Sequence, residues 1–230
     1  MKLRFATLFL TLLCIALCTS AVASTTIFDD GAIDGNDNAF FITGPDRPNF
    51  LGSVQDISNG FIAAASGTPN QLTFGLWLFS GLTPTTVSYE IGTSAFGTDL
   101  GSGTVALNNS NSTLLFSNGF GYDVYSITIP VTSLAMTAGN EYWLSLSNAD
   151  DASHSGSEAW DIPNFGSGGP ATCNFRQSGI NFGNCGLGGE AFILTAGGGG
   201  GVPEPASLLL LGSGLFGIAG AARKRFGKRS

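Results

Sequence analysis

Between residues 24 and 201 apolar side chains recur at every second position, in short segments closed by Gly, Asn, Ser or Pro. That period gives a strand one apolar face and excludes the three-to-four spacing of amphipathic helices. Leu72, Phe74, Leu76 and Leu78 alternate along QLTFGLWLFS, and Val87, Tyr89 and Ile91 along TVSYEIG. Tyr125, Ile127, Ile129 and Val131 alternate in VYSITIPV, as do Tyr142, Leu144 and Leu146 in EYWLSLS. Further strands are predicted near Phe40, Phe61, Val105, Leu114, Trp160 and Phe192. The connections are too short and glycine-rich to hold the crossover helices of a parallel sheet. The prediction is therefore an all-β domain over residues 24–196. Its expected form is an antiparallel β-sandwich of jelly-roll or immunoglobulin-like kind.

Both ends of the chain are patterned differently. Residues 1–23 set Lys2 and Arg4 ahead of an apolar run from Phe5 to Cys18 and close with Ala21 and Ala23, the layout of a signal peptide cleaved after Ala23. Leucine precedes both Cys14 and Cys18, against a lipoprotein signal. At the other end Gly197 to Gly201 forms a glycine tether, read as a linker over 197–201. The motif VPEPAS, residues 202–207, follows; Pro203 and Pro205 hold the backbone extended, so a helix starts only at Ala206 or Ser207. Residues 206–222 carry no charge and span roughly 25 Å as a helix, the short end of membrane-crossing lengths. Arg223, Lys224, Arg225, Lys228 and Arg229 fill the basic tail 223–230 and would stay cytoplasmic by the positive-inside rule, with the domain outside. Gly212, Gly214 and Gly217 spell a dinucleotide fingerprint, but no strand precedes them, so the match is accidental.

VPEP, a short apolar helix and a basic terminus resemble the PEP-CTERM sorting signal, also catalogued as the C-terminal domain of ice-binding-type proteins. The resemblance covers residues 202–230. It implies recognition by an exosortase, a membrane-embedded, cysteine transpeptidase-like enzyme. Such an enzyme removes the tail and passes the protein from a transient inner-membrane anchor to the envelope, cell surface or exopolysaccharide matrix. Carried over by position, Val202, Pro203, Glu204 and Pro205 would form the sorting motif. The segments AWDI, AFILTA and YWLSLSNA also look like stretches common in domains that precede this tail.

Between its addresses the chain has only Arg47 and Arg176 against fifteen acids, which makes nucleic acid a poor partner and favours divalent cations or neutral polymers. Cys173 and Cys185 are the two cysteines beyond residue 23, and in an exported chain they are expected to form a disulfide closing a glycine-rich loop. Asp29, Asp30, Asp34, Asn36, Asp37 and Asn38 supply oxygen ligands of the kind Ca²⁺ takes, although Ala39 and Pro45 break the EF-hand spacing. The segment is either a calcium-stabilised loop or a solvated, turn-rich stretch. No GxSxG elbow occurs, and the sole histidine, His154, lies in the polar run SNADDASHSGSE, where Asp150, Asp151 and Glu158 accompany it without a fixed metal spacing. The domain is therefore not expected to be an enzyme. Trp77, Trp143 and Trp160 could stack on sugar rings if exposed, but core packing is the preferred reading; Trp77 and Trp143 fall on the polar parity of their strands and are the two to test, and Trp160 is undetermined. The expected role is structural or adhesive in an exopolysaccharide or biofilm setting; the alternative is a carbohydrate-binding or polysaccharide-cleaving surface domain.

Overall fold

Each of the alternating segments forms a strand. The structure, a computed structural model, describes residues 24–35, 38–43, 55–163, 172–185 and 189–197. The signal peptide 1–23, most of the glycine linker, the sorting motif, the 206–222 helix, the basic tail, Asn36 and Asp37 lie outside the described residues. Thirteen strands occur among those described: β1 (Thr25–Asp29), β2 (Asn38–Phe41), β3 (Gln55–Ile62), β4 (Pro69–Phe79), β5 (Pro84–Gly92), β6 (Gly101–Ala106), β7 (Ser112–Ser117), β8 (Tyr122–Pro130), β9 (Glu141–Asp151), β10 (Ala159–Ile162), β11 (Thr172–Gln177), β12 (Ile180–Asn184) and β13 (Phe192–Ala196). No helix among them is long and apolar enough to cross a membrane.

The strands divide between two antiparallel sheets that share one apolar core, a sandwich-like arrangement. In the seven-stranded sheet β4 is the spine. Strand β8 pairs along one flank of β4, while β13 and then β10 pair along the other, with β1 and β2 outside them and β7 beyond β8. The six-stranded sheet runs β12-β11-β3-β9-β5-β6. Leu72, Phe74, Leu76 and Leu78 of β4 face Ile57, Phe61, Leu144 and Leu146 across the interior, and all are buried. Phe28, Phe61 and Phe192 fill one region of it as a tilted and edge-on aromatic trio with ring centroids 4.8 to 5.5 Å apart.

Two features differ from the reading of the sequence. Residues 172–184, expected as a loop, form the hairpin β11–β12. Ser178 (φ 49°) and Gly179 (φ 79°) make its two-residue turn, both left-handed as a hairpin turn of the primed kind requires. The Cys173–Cys185 disulfide is present as predicted, with Cα atoms 5.4 Å apart, and ties the open end of that hairpin. Trp77 does lie on the face of β4 turned away from the sandwich core, but that face is covered. Ile33, Ala39, Phe41 and Tyr122 pack over Trp77, Val124 and Ala159 as a second apolar cluster.

Candidate functional site

The outer face of the six-stranded sheet carries the polar parity of five strands, and register aligns those side chains in rows. Asn174, Ser58, Ser145, Glu90 and Ser102 form one row from β11 to β6. Arg176 stands opposite Asp56, and Ser147 opposite Ser88 and Thr104, in the next. Thr172, Gly60, Trp143 and Gly92 make a third. Gly60 is required there because a Cβ would come within 2.9 Å of the Trp143 ring, which lies across it half exposed. Trp143 is thus the tryptophan whose parity leaves it on an open face, whereas Trp160 is fully buried in the core and donates Nε1–H to the Ala191 carbonyl at 3.0 Å.

An open groove of about 470 Å³ lies against the first two of these rows, lined by Asp56, Glu90, Ser147, Asn148, Arg176 and the β11–β12 turn. Arg176 Nε donates to Asp56 Oδ2 at 2.8 Å, and its guanidinium stacks 4.5 Å from the Phe96 ring centroid. Phe96 belongs to the connection between β5 and β6, which folds back so that its N–H reaches Ser58 Oγ at 3.2 Å. Asp99 clamps that connection by accepting from Thr93 N and Thr93 Oγ1, bonds that hold its carboxyl below the usual range. A bulge in β9 turns Asn148 (φ 48°) out toward the groove. Burial raises the Glu90 carboxyl, against the pull of Arg176. Guanidinium, carboxyl, amide and hydroxyl groups in one groove can hydrogen-bond a polyhydroxylated ligand.

Other acids are enclosed. Asp161 on β10 accepts from Trp77 Nε1 at 2.6 Å, Asp34 N at 3.1 Å and Gly35 N at 3.2 Å, pinning the segment after β1 over the outer face of the seven-stranded sheet. Burial nevertheless lifts its pKa to about 6. The β9–β10 connection does not gather its acids and histidine around one point. Exposed His154 pairs with Asp150 at 2.9 Å, whereas buried Asp151 accepts from the backbone and hydroxyls of Ser153 and Ser155 and bonds to Glu158. Burial and that shared bond push Glu158 up to about 8. Burial opposes ionisation of Asp151, but the bonds from Glu158, Ser155 and Ser153 outweigh it and hold its carboxyl low.

The N-terminal acids also separate: Asp29 is exposed and caps Gly31 N at 3.0 Å, Asp34 is half buried, and Asp30 is fully enclosed. Sequence reasoning missed Asp56, Glu90 and Arg176 as neighbours, because strand register alone unites them. The one available hint was that Arg176 is one of two basic residues in the whole domain.

Residues 201–225 match the family model of the PEP-CTERM protein-sorting motif. The chain carries that sorting signal. A PEP-CTERM motif is the mark of an exported, exosortase-processed protein of the cell surface or extracellular space, and the resemblance drawn from VPEP and its flanks holds. No curated protein matches the chain.

Proposed function

We propose that the PEP-CTERM protein is an adhesive, non-catalytic module that holds extracellular polysaccharide on the outer face of its six-stranded sheet. The groove over that face carries the reading. It is open along the sheet, Ser147, Asn148 and Ser178 line it beside the charged Asp56, Glu90 and Arg176, and on the same face, beyond its lining, the half-exposed Trp143 offers a ring for a sugar face to stack on. In this reading the signal peptide over 1–23 starts export, the 206–222 helix holds the precursor at the inner membrane, and the basic tail fixes its orientation. Exosortase then releases the domain at the PEP motif to the envelope or matrix. Cleavage of polysaccharide is the weaker reading: Glu90 is raised as a general acid would be, but Asp56 is committed to Arg176 and leaves it without a free carboxylate partner.

The test is binding of the purified protein to exopolysaccharide from its own host and to a glycan array, beside Trp143→Ala and Arg176→Ala. Binding that both substitutions abolish, with no new reducing ends released, is the expected result. Undiminished binding by both variants, or absence of any glycan binding, refutes the proposal.

A further inference from the structure

Strand β7 is the outermost strand on one side of the seven-stranded sheet, and among the described residues it pairs with β8 alone. Its exposed side chains are apolar where a surface strand ordinarily carries polar ones. Leu114, Leu115 and Phe116 are consecutive and exposed, at 51%, 43% and 38%. They serve both faces: Leu114 stands in register with Tyr125 of the sandwich core, and Phe116 with Val124 of the outer cluster. The Phe116 ring lies against Gly35, where a Cβ would come within 2.6 Å of it. A register shift leaves Leu115 with no partner residue on β8. Next to the strand, Phe120 is 62% exposed and stacks on Trp77 with ring centroids 6.1 Å apart.

Folded chains protect a sheet edge with charge, proline or brevity, because its outward backbone groups can pair with any extended strand. Strand β7 has six residues, no proline and no charge. The other edges are better guarded. Strand β1 carries Asp29, β2 has four residues, β6 leaves Ser102, Thr104 and Ala106 exposed, and left-handed Gly183 interrupts β12 beside its exposed Ile180 and Phe182.

Charge selects the occupant. Between Asp99 and Asp123 no residue is charged, whereas residues 24–201 set only Arg47 and Arg176 against fifteen acids. A basic partner would find no carboxylate on this strip, and an acidic one no cation. A second copy, repelled wherever acids face acids, meets here a strand as neutral and apolar as its own. Turned about a two-fold axis normal to the sheet, it presents β7 antiparallel to β7. We propose that β7 docks a second copy of this chain in this way, joining the two seven-stranded sheets into one continuous sheet. Each copy uses its β7 once, so the contact is isologous and closes at a dimer. The groove lies on the six-stranded sheet, in the other layer, so the proposal stands apart from glycan binding.

The measurement is the mass in solution of the full chain, purified in mild detergent, by sedimentation over a wide concentration range. A dimer that dissociates on dilution is expected. Leu114→Glu and Leu115→Glu each set like charges face to face across the two-fold axis and should weaken association more than about tenfold, with far-UV circular dichroism unchanged. Both positions are exposed in the single chain, and if one variant fails to fold the other carries the comparison. Leu115→Cys should cross-link copies under oxidation, and Ile180→Cys on β12 should not. A monomer at every concentration overturns the proposal. So does a dimer that Leu114→Glu and Leu115→Glu both retain, which would place the contact in the tail or at another edge, or a dimer cross-linked through Ile180→Cys alone. Protection of β7 amides from hydrogen exchange in a monomer would mean that a segment of the same chain covers the edge, and overturns it equally.

Discussion

Trp77→Phe isolates the bond that fastens the segment after β1 to the sheet. Trp77 Nε1–H points at Asp161 Oδ1 from 2.6 Å, the shortest of the three donors on that carboxyl. The folded pKa of Asp161, about 6, stands above its ordinary 3.8. A carboxyl raised in this direction supports the fold fully below the unfolded value and withdraws that support as pH rises through the folded one. Converted at about 1.4 kcal/mol per pH unit, the gap means that the support Asp161 gives the fold falls by about 3 kcal/mol between about pH 4 and pH 7. Phenylalanine removes the N–H donor. A hydrogen bond to an ionised carboxylate contributes about 1.5–3 kcal/mol, and one to a neutral carboxyl about 1 kcal/mol. The lost packing against Tyr122 and Phe120 is the same at every pH. Urea unfolding of native and Trp77→Phe protein should therefore show a destabilisation about 1 kcal/mol larger near pH 7.5 than near pH 4. Equal destabilisation at the two pH values would show that the indole contributes packing alone, and the account of Asp161 given above would be wrong.

Two more outcomes follow from the enclosed groups. Glu158 is raised from 4.5 to about 8, first by burial and then by Asp151 and Asp150, so its support for the fold drains away as pH climbs from about 4.5 through 8. Glu158→Gln stays neutral and keeps a donor for Asp151; urea unfolding across that range should lose part of its slope, and an unchanged slope counts against the shared-proton pair. Replacing Cys173 and Cys185 together by serine should cost about 3 kcal/mol, a fall of about 6–12 °C in thermal midpoint, and a midpoint indifferent to the substitution would mean the hairpin does not depend on its clasp.

Alternation revealed ten of the thirteen strands because one face of each, such as Leu72 to Leu78 in β4, is packed and the other is polar. It failed where a strand has no clean pattern. TCNFRQ and INFGN in β11 and β12 are half exposed along most of their length, so the Ser178–Gly179 dipeptide was the remaining sign of a hairpin. Strand β1 went unseen because it presents only Ile27 and Phe28 to the core, adjacent rather than alternate, across a register shift at that point. Parity put Trp77 correctly on the outer face of its sheet; that Ile33, Ala39, Phe41 and Tyr122 cover it there is something no local pattern announces. The groove was illegible for a different reason, since Asp56 and Arg176 lie 120 residues apart and meet through the pairing of β3 with β11.

Pairing of β1 with β13 sets Thr25 against Ala196, the first strand of the domain against the last. A polypeptide that crosses a membrane N-terminus first delivers β1 to the far side before its partner has been threaded through. The earliest strand to arrive is then the last to find its place, and the flank of β4 stays open until residues 192–196 emerge. Completion of the domain waits on the end of transport rather than on a local search, a high-contact-order closure of the slow kind. Any stop in translocation before Phe192 leaves two bare strand edges outside the cell, the state in which such chains aggregate or are degraded.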